Sequence, residues 1–240
     1  MKSIRVFSDS EEMAEEIARC WHEKARQTAK EQLIFSVVLS GGKTASLLYG
    51  KLSQPEWRDR IPWETVHIFF ADERCVSPKN EESNYKIASD HLLKHISIPA
   101  KNIHRIRGEE NPEKEAIHYA KEIQSHLALR KGDINFFDWV LLGVGTDGHT
   151  ASLFPQQDII NSKKLCEVSQ HPDTGQKRIT MTPATINRSH RITYHVIGEE
   201  KSEIVFKLAS NPSVINIYPT LRIQGEWFLD REASAKFDFP

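Results

Sequence analysis

The chain has 240 residues, of which 39% are hydrophobic, three cysteines and a formal net charge of −1. This length and hydrophobic content can bury one large core, so we expect a single domain over residues 1–240. The near-zero net charge excludes a global attraction to nucleic acid or anionic membranes, and any anion site must therefore be local. An odd number of widely spaced cysteines predicts free thiols. The N-terminus turns acidic early and no apolar run could span a bilayer, so we expect no signal peptide, no membrane span and a cytoplasmic location.

Apolar runs and amphipathic stretches alternate along most of the chain. The predicted strands cover residues 3–7, 33–39, 66–71, 103–106, 137–142, 165–169, 178–182, 192–197 and 223–229. The predicted helices cover residues 11–32, 45–52, 84–93, 112–129, 201–209 and 230–236, and the first carries a capping box from Ser8 to Glu11. This alternation predicts right-handed βαβ units, a mainly parallel sheet and an α/β fold.

A glycine-rich turn, Ser40-Gly41-Gly42-Lys43-Thr44, follows the second predicted strand. Its glycines allow a ligand to approach the backbone, and the next helix begins with free N–H groups and a positive dipole end. Lys43 adds a charge and Thr44 a hydroxyl. The turn is not a P-loop, because that motif requires a glycine where this chain has Val37. We expect a phosphate site here; the alternative is an ordinary glycine-rich turn.

Charged residues stand at the ends of other predicted elements. Asp72 and Arg74 follow the third strand, where a carboxylate and a guanidinium can bind a polyol and an anion. The alternative is a surface ion pair, which contributes little. Arg178 begins a later strand and Lys201 begins a helix after Gly198. Both can supply cationic contacts to a phosphate, although the residues alone leave this open.

The stretch from residue 137 to residue 155 has the layout of an active site. A buried strand ends in two glycines, and Asp147 and His149 follow within one turn. Ligands of open α/β sheets bind at the carboxyl ends of strands, and the pKa of histidine suits general-base catalysis near neutral pH. Thr150 is expected to open a short helix that Pro155 closes. Spacing leaves open whether Asp147 orients His149 or contacts a substrate.

Other candidate sites are weaker. His91 and His95 have the i, i+4 spacing of a metal pair, but a solvated helix face is the simpler interpretation. Cys75 beside Arg74 is interpreted as a packing residue. The Gly143-Val144-Gly145 segment lacks the third glycine of a dinucleotide-binding fingerprint.

Several segments together resemble the 6-phosphogluconolactonase family, which is related to the glucosamine-6-phosphate deaminases. They are LSGGKTASLLYGKL, FFADERCVSPKNEESNY, LLGVGTDGHTASLFP, RITMTPATINRS, GEEK and IYPTLRIQGEWFLDREA, and they occur in this order. DGHTASLFP is the most specific of them. The resemblance implies a Rossmann-like, mainly parallel sheet flanked by helices, with a smaller β-containing subregion. The chain departs from the family pattern at Lys43 and Ala45, where a small residue and a proline are usual, and at Pro183, one place early.

The resemblance also implies roles for individual residues. His149 would be the catalytic base, with Asp147 beside it. The sugar phosphate would be held by Gly41, Gly42, Thr44, Arg178 and Lys201, near the additional Lys43, and the substrate crevice would contain Asp72 and Arg74. The implied reaction is hydrolysis of 6-phospho-D-glucono-1,5-lactone, by a monomer and without a metal or other cofactor. One alternative is a glucosamine-6-phosphate deaminase, which is disfavoured because residues 152–155 contain no carboxylate. The other is a non-catalytic sugar-phosphate sensor.

Overall fold

A computed structural model describes residues 3–129, 134–210, 215 and 217–237. The strands are β1 (Ile4–Phe7), β2 (Phe35–Leu39), β3 (Val66–Phe70), β4 (Asp72–Arg74), β5 (Ile103–His104), β6 (Phe137–Leu142), β7 (Cys166–Gln170), β8 (Lys177–Met181), β9 (Ser189–Val196) and β10 (Glu226–Asp230). The helices are α1 (Ser10–Lys30), α2 (Lys43–Leu52), α3 (Pro55–Arg58), α4 (Asn84–His91), α5 (Pro112–Leu129), α6 (Pro183–Ile186), α7 (Ser202–Ser210) and α8 (Pro219–Arg222).

Seven strands form one parallel sheet in the order β1-β10-β9-β6-β2-β3-β5. Every residue of the central strands β2 and β6 is buried, as expected for strands covered by helices on both faces. The predicted bounds of β6 and α5 are confirmed without change. The predicted α/β class with a mainly parallel sheet is therefore confirmed.

The first helix packs on the sheet through the stripe that its sequence predicts. Met13, Ile17 and Trp21 are at most 1% exposed. Its N-terminus is capped one residue later than the predicted box, because Asp9 is the N-cap and its Oδ1 accepts from the backbone N–H of Glu12 at 2.8 Å. The Glu12 carboxylate in turn accepts from the backbone N–H of Ser8 at 2.7 Å, so the reciprocal pattern survives with a shifted register.

A second sheet of three antiparallel strands, in the order β4-β8-β7, confirms the smaller β-containing subregion. The chain passes from the large sheet to the small one at Ala71. Its N–H donates to the Leu39 carbonyl at 2.8 Å, and its carbonyl accepts from the N–H of Met181 at 2.7 Å. Residues 171–176 form the predicted turn between β7 and β8. Strand β4 therefore begins immediately beside the carboxyl end of β3, which brings Asp72 and Arg74 to the ligand-binding edge.

The structure differs from the predicted elements mainly in its short segments. No helix follows Thr150, which instead forms a β-bridge with Leu153, and residues 231–236 form turns rather than a helix. The short helices α3, α6 and α8 were not predicted; each begins with proline in its first turn and has only four residues. Four residues are too few to show a helical period in the sequence. Among the described residues, no helix has the length and apolar character needed to cross a bilayer.

Candidate active site

A cavity of about 480 Å³ opens at the carboxyl ends of the parallel strands. Nine of the ten predicted site residues line it, namely Gly41, Gly42, Lys43, Thr44, Asp72, Arg74, His149, Arg178 and Lys201. The tenth, Asp147, lies behind His149. Five separate segments of the chain thus converge on one space, and the sheet topology brings them together.

The turn after β6 fixes His149 against Asp147. The Nδ1 atom of His149 lies 2.6 Å from Oδ1 of Asp147, whose oxygen also accepts the backbone N–H of His149 at 3.2 Å. Two backbone hydrogen bonds close the turn, from Gly145 N–H to the His149 carbonyl at 2.8 Å and from Gly148 N–H to the Gly145 carbonyl at 2.9 Å. Asp147 therefore holds the imidazole in one orientation in this structure.

Glycine is required at two positions of this turn. A Cβ atom on Gly145 would lie 2.2 Å from Nδ1 of His149 and 2.5 Å from Oδ1 of Asp147, so a larger residue would separate the pair. Gly148 has a φ of +84°, and a Cβ there would also lie 2.4 Å from the ring of Tyr218. By contrast, a Cβ on Gly143 would meet nothing within 4 Å.

The charge of Asp147 determines which nitrogen of the neutral His149 ring carries the proton. Burial raises the pKa of Asp147, but the hydrogen bond and charge of His149 outweigh burial, so the pKa lies below its usual value. An ionised carboxylate only accepts hydrogen bonds, so Nδ1 carries the proton and Nε2 has the free lone pair. The ring of Phe154 packs against the imidazole, with centroids 5.0 Å apart, and is fully buried.

The glycine-rich turn leads into α2 two residues earlier than predicted. Gly42 is the N-cap residue, with a φ of +96° that favours glycine, and Lys43 and Thr44 form the first turn. Lys201, the residue directly before α7, faces the same region. Burial, and to a smaller degree the charge of Lys43, lowers the pKa of Lys201, whereas the carboxylates of Glu200 and Asp147 raise it. Two amines and the N-terminus of α2 therefore form one positive region.

A second positive region lies on the small sheet. Arg74 and Arg178 are directly opposite each other in the β4–β8 register. Burial and then the charge of Arg74 lower the pKa of Arg178. Their neighbour Asp72 is buried and accepts a hydrogen bond from Ser152 Oγ at 2.6 Å. An anion that enters between the guanidinium groups would relieve their repulsion.

Three residues that position this site were missed in the sequence. The amide of Asn84 donates to the Asp72 carbonyl at 2.9 Å and accepts from Arg74 at 2.6 Å, and its Oδ1 would lie 1.9 Å from a Cβ on Gly41. Glu73 is buried and accepts from the backbone N–H groups of Asn84 and Tyr85, which fixes the start of α4. Asp230 accepts from the N–H of Gly198 at 3.1 Å, and so holds the turn before Lys201. Nothing in local spacing marks these residues, because their partners are distant in the chain.

Of the weaker candidates, the His91–His95 pair and Cys75 lie outside the cavity, whereas Gly143, Val144 and Gly145 line it. His91 and His95 are exposed, and Nε2 of His95 lies 2.9 Å from the Asp90 carbonyl. Burial raises the pKa of Cys75 to about 11, so its thiol is protonated at neutral pH, and Cys20, Cys75 and Cys166 are free. The interpretation of Cys75 as a packing residue agrees with its contact to the hydrophobic core.

Residues 8–228 match the family model described as glucosamine-6-phosphate isomerases/6-phosphogluconolactonase. The chain belongs to this family. A 6-phosphogluconolactonase of Aggregatibacter actinomycetemcomitans is 41% identical over 86% of this chain and 92% of its own. The crystal structure of the devB protein is similar with a TM-score of 0.91 and 36% identity, over 99% of this chain and 100% of that chain.

The fold is shared with a second activity within the family. A monomeric glucosamine-6-phosphate deaminase is similar with a TM-score of 0.82 at 20% identity, over 97% of this chain and 99% of that chain. At this identity the likeness concerns the fold alone. The sheet and its cavity therefore do not separate lactone hydrolysis from deamination, and the side chains around His149 must do so.

Proposed function

We propose that this protein is a 6-phosphogluconolactonase that hydrolyses 6-phospho-D-glucono-1,5-lactone to 6-phosphogluconate, in the oxidative pentose phosphate pathway. The observation that carries the proposal is the 2.6 Å contact between Asp147 and His149 at the edge of a cavity with positive groups on two sides. This arrangement combines an oriented base with sites for a distant phosphate. The 41% identity to a lactonase over most of both chains supports the same reaction.

His149 is the general base of the proposed mechanism. Its Nε2 removes a proton from water as the water oxygen attacks the C1 carbonyl of the lactone. The ionised Asp147 stabilises the imidazolium that forms. When the tetrahedral intermediate collapses, the bond from C1 to the ring oxygen breaks and the imidazolium returns the proton to that oxygen. The product is the open-chain acid, and His149 is neutral again.

The phosphate binds at the start of α2 in this proposal. The backbone N–H groups of Gly41, Gly42 and Thr44 lie at the positive N-terminal end of this helix. Arg178 and Lys201 add positive charge beside them. Anchoring the phosphate far from C1 orients the ester bond toward His149. Lys43 is exposed at the same helix start and adds long-range attraction for the dianion.

The Asp72–Arg74 pair positions the sugar in this proposal. Asp72 accepts hydrogen bonds from Ser152 and Asn84. Arg74 donates to Asn84 and, at 2.6 Å, to the Glu82 carbonyl. Both side chains are therefore already ordered, and substrate binding need not supply the free energy to order them. A carboxylate accepts from sugar hydroxyl groups, and a guanidinium donates to them.

Deamination of glucosamine 6-phosphate is the second candidate. Proton transfer in sugar ring opening needs an additional acid or base beside His149. The side chain that packs on the imidazole is instead the fully buried Phe154, and Ser152 donates to Asp72 rather than facing the cavity. A pure sugar-phosphate sensor would not need an oriented acid–histidine pair, which argues against the remaining alternative.

We also propose that residues 1–240 act as one lactonase domain, as a monomer in the cytoplasm and without a cofactor. One hydrophobic cluster includes residues of both sheets, such as Val140 and Met181, which supports a single domain.

The decisive experiment compares two substrates with the purified full-length protein. Lactone hydrolysis is followed after correction for spontaneous opening, and ammonia release is followed with glucosamine 6-phosphate. We expect rapid hydrolysis and no ammonia. Ammonia release would support the deaminase, and substrate binding without either product would support the sensor.

A further inference from the structure

Three histidines outside the cavity come together at one edge of the large sheet. His67 lies on β3, His104 on the edge strand β5 and His126 on α5, and one ring nitrogen of each lies within 4.8 Å of one ring nitrogen of the other two. We call these residues the histidine cluster. Among the residues that the structure describes, this is the group of histidine, cysteine and carboxylate side chains whose spacing suits a metal ion.

The sheet register explains how two of these residues meet. Phe69 is paired with His104 across β3 and β5, and His67 is two residues before Phe69, so the three side chains share one face. Helix α5 covers this face and carries Glu122 and His126 at i, i+4 spacing, which places them on one side of the helix. None of the three histidines lines the active-site cavity.

The cluster contains a carboxylate–histidine pair of the kind that supports metal ligands. Oε1 of Glu122 lies 2.7 Å from Nδ1 of His104, and Nε2 of His104 lies 2.9 Å from Nδ1 of His67. A carboxylate that accepts the Nδ1 proton leaves Nε2 of His104 with a free lone pair. Nδ1 of His67 then donates its proton to Nε2 of His104. When a metal ion binds between these two nitrogens, that proton moves through solvent to Nε2 of His67, so that Nδ1 of His67 and Nε2 of His104 each offer a lone pair to the ion.

The distance between His67 and His104 permits this exchange with a small movement. Two nitrogens bound tetrahedrally at the usual zinc–nitrogen length stand about 3.3 Å apart, so the 2.9 Å contact must widen by a few tenths of an ångström. His67 and His104 are half-buried and His126 is buried.

A purely structural explanation of the cluster is aromatic packing. The rings of Phe69 and His104 are stacked with centroids 4.1 Å apart, and those of His67 and His104 with centroids 5.2 Å apart. Stacking accounts for the parallel rings. It does not require three ring nitrogens and a carboxylate to converge, as metal coordination does.

We propose that His67, His104 and His126 bind one transition-metal ion, with Zn²⁺ the best-fitting ion, and that Glu122 orients His104 from outside. Three neutral imidazoles suit Zn²⁺, and water completes a tetrahedron. The ion ties the edge strand β5 and its neighbour β3 to the C-terminal half of α5. It stabilises the fold and takes no part in lactone hydrolysis.

The test uses the chelator-treated full-length protein and Zn²⁺ alone, titrated by calorimetry. His67→Asn removes a ligand and should eliminate one Zn²⁺ equivalent per chain. Glu122→Gln keeps all three ligands and should weaken binding roughly 10- to 100-fold. His91→Asn is the matched control, because this exposed histidine has i, i+4 spacing to His95, and it should bind Zn²⁺ like the parent.

Two further readouts separate metal binding from packing. Co²⁺ should give the intense visible bands of a tetrahedral site with the parent and the control but not with His67→Asn. Saturating Zn²⁺ should raise the Tm of the parent by several degrees and leave that of His67→Asn unchanged. His67→Asn and Glu122→Gln should keep the parent kcat for lactone hydrolysis, which would also show that both variants fold. The proposal is overturned if the parent binds no Zn²⁺ at micromolar concentration, or if His67→Asn and Glu122→Gln bind it as the parent does.

Discussion

Two regions of this molecule contain the same local unit, a carboxylate in contact with Nδ1 of a histidine. In the cavity Asp147 lies 2.6 Å from His149, and at the sheet edge Glu122 lies 2.7 Å from His104. Each carboxylate fixes the proton on Nδ1 and leaves Nε2 as an acceptor. The nearly identical distances show that the pair alone does not determine the chemistry.

The difference lies in what the second nitrogen faces. Beside His149 is an open cavity with Lys201 and Arg178 among its walls, whereas His104 faces another imidazole 2.9 Å away. An oriented nitrogen next to a substrate-sized space suits proton transfer. An oriented nitrogen next to further imidazoles suits a metal ion. The surroundings that the fold supplies therefore assign different roles to the same pair.

The largest contrast between the two regions should appear in turnover. His149→Ala removes the proposed general base, and kcat of this variant should fall roughly 10²- to 10⁴-fold, as is usual for loss of acid–base catalysis. His104→Asn, in the other pair, should keep the parent kcat. Steady-state lactone hydrolysis, corrected for the spontaneous reaction, measures both. A His149→Ala enzyme with parental turnover would remove His149 from the mechanism.

A matched pair of glycine substitutions tests whether orientation of the imidazole matters. Gly145→Ala places a methyl group against both His149 and Asp147, and a displaced base should lower kcat by about 10²-fold. Gly143→Ala meets nothing within 4 Å and should behave like the parent. Equal kcat values for the two variants, with equal thermal stability, would show that the contact with Asp147 is dispensable.

Loss of a cavity cation should affect binding more than chemistry. Arg178→Met removes a charge-assisted hydrogen bond to the phosphate, so KM should rise roughly 10- to 100-fold with a smaller change in kcat. Arg58→Met is the control, because Arg58 pairs with Asp59 at an exposed site outside the cavity and should not change KM. If KM stays the same in Arg178→Met, Arg178 does not hold the phosphate.

A third histidine, His195, is buried without a carboxylate partner among the described residues. His195 on β9 is 2% exposed, its ring nitrogens have no hydrogen-bond partner among the described residues, and burial lowers its pKa to about 4. As the pH falls, His195 binds a proton near pH 6.5 in the unfolded chain but only near pH 4 in the folded chain. Its contribution to the free energy of unfolding is therefore fully present above pH 6.5 and is lost as the pH falls toward 4.

When the pH is lowered from 7 to 5, His195 should decrease the free energy of unfolding of the parent by about 2 kcal/mol. Denaturant titrations of the parent and of His195→Leu at several pH values measure the difference. The variant should show a shallower loss on acidification. Parallel pH profiles for the two proteins would mean that His195 does not titrate on unfolding.

Local chemistry in the sequence predicted the α/β class and most strand positions, and together with the family resemblance it indicated nine of the residues around the cavity. Continuous apolar runs predicted β2 and β6, and the glycines and polar residues that follow β2, β3 and β6 predicted the ligand-binding edge. These are local features, because a buried strand and the turn after it are encoded by consecutive residues. The helix expected after Thr150 does not form, because Ser152 makes two long-range hydrogen bonds, to Asp72 and to Thr180, and these override local propensity.

Only the tertiary structure decided which distant groups meet. Asn84 joins Arg74, Asp72 and the Gly41 turn; Asp230 holds the turn before Lys201; and His67, His104 and His126 converge from two strands and a helix. No spacing along the chain announces these contacts, because strand order and the packing of α5 bring them together. The sequence shows which side chains are able to do chemistry, and the topology of the sheet decides which of them do it together.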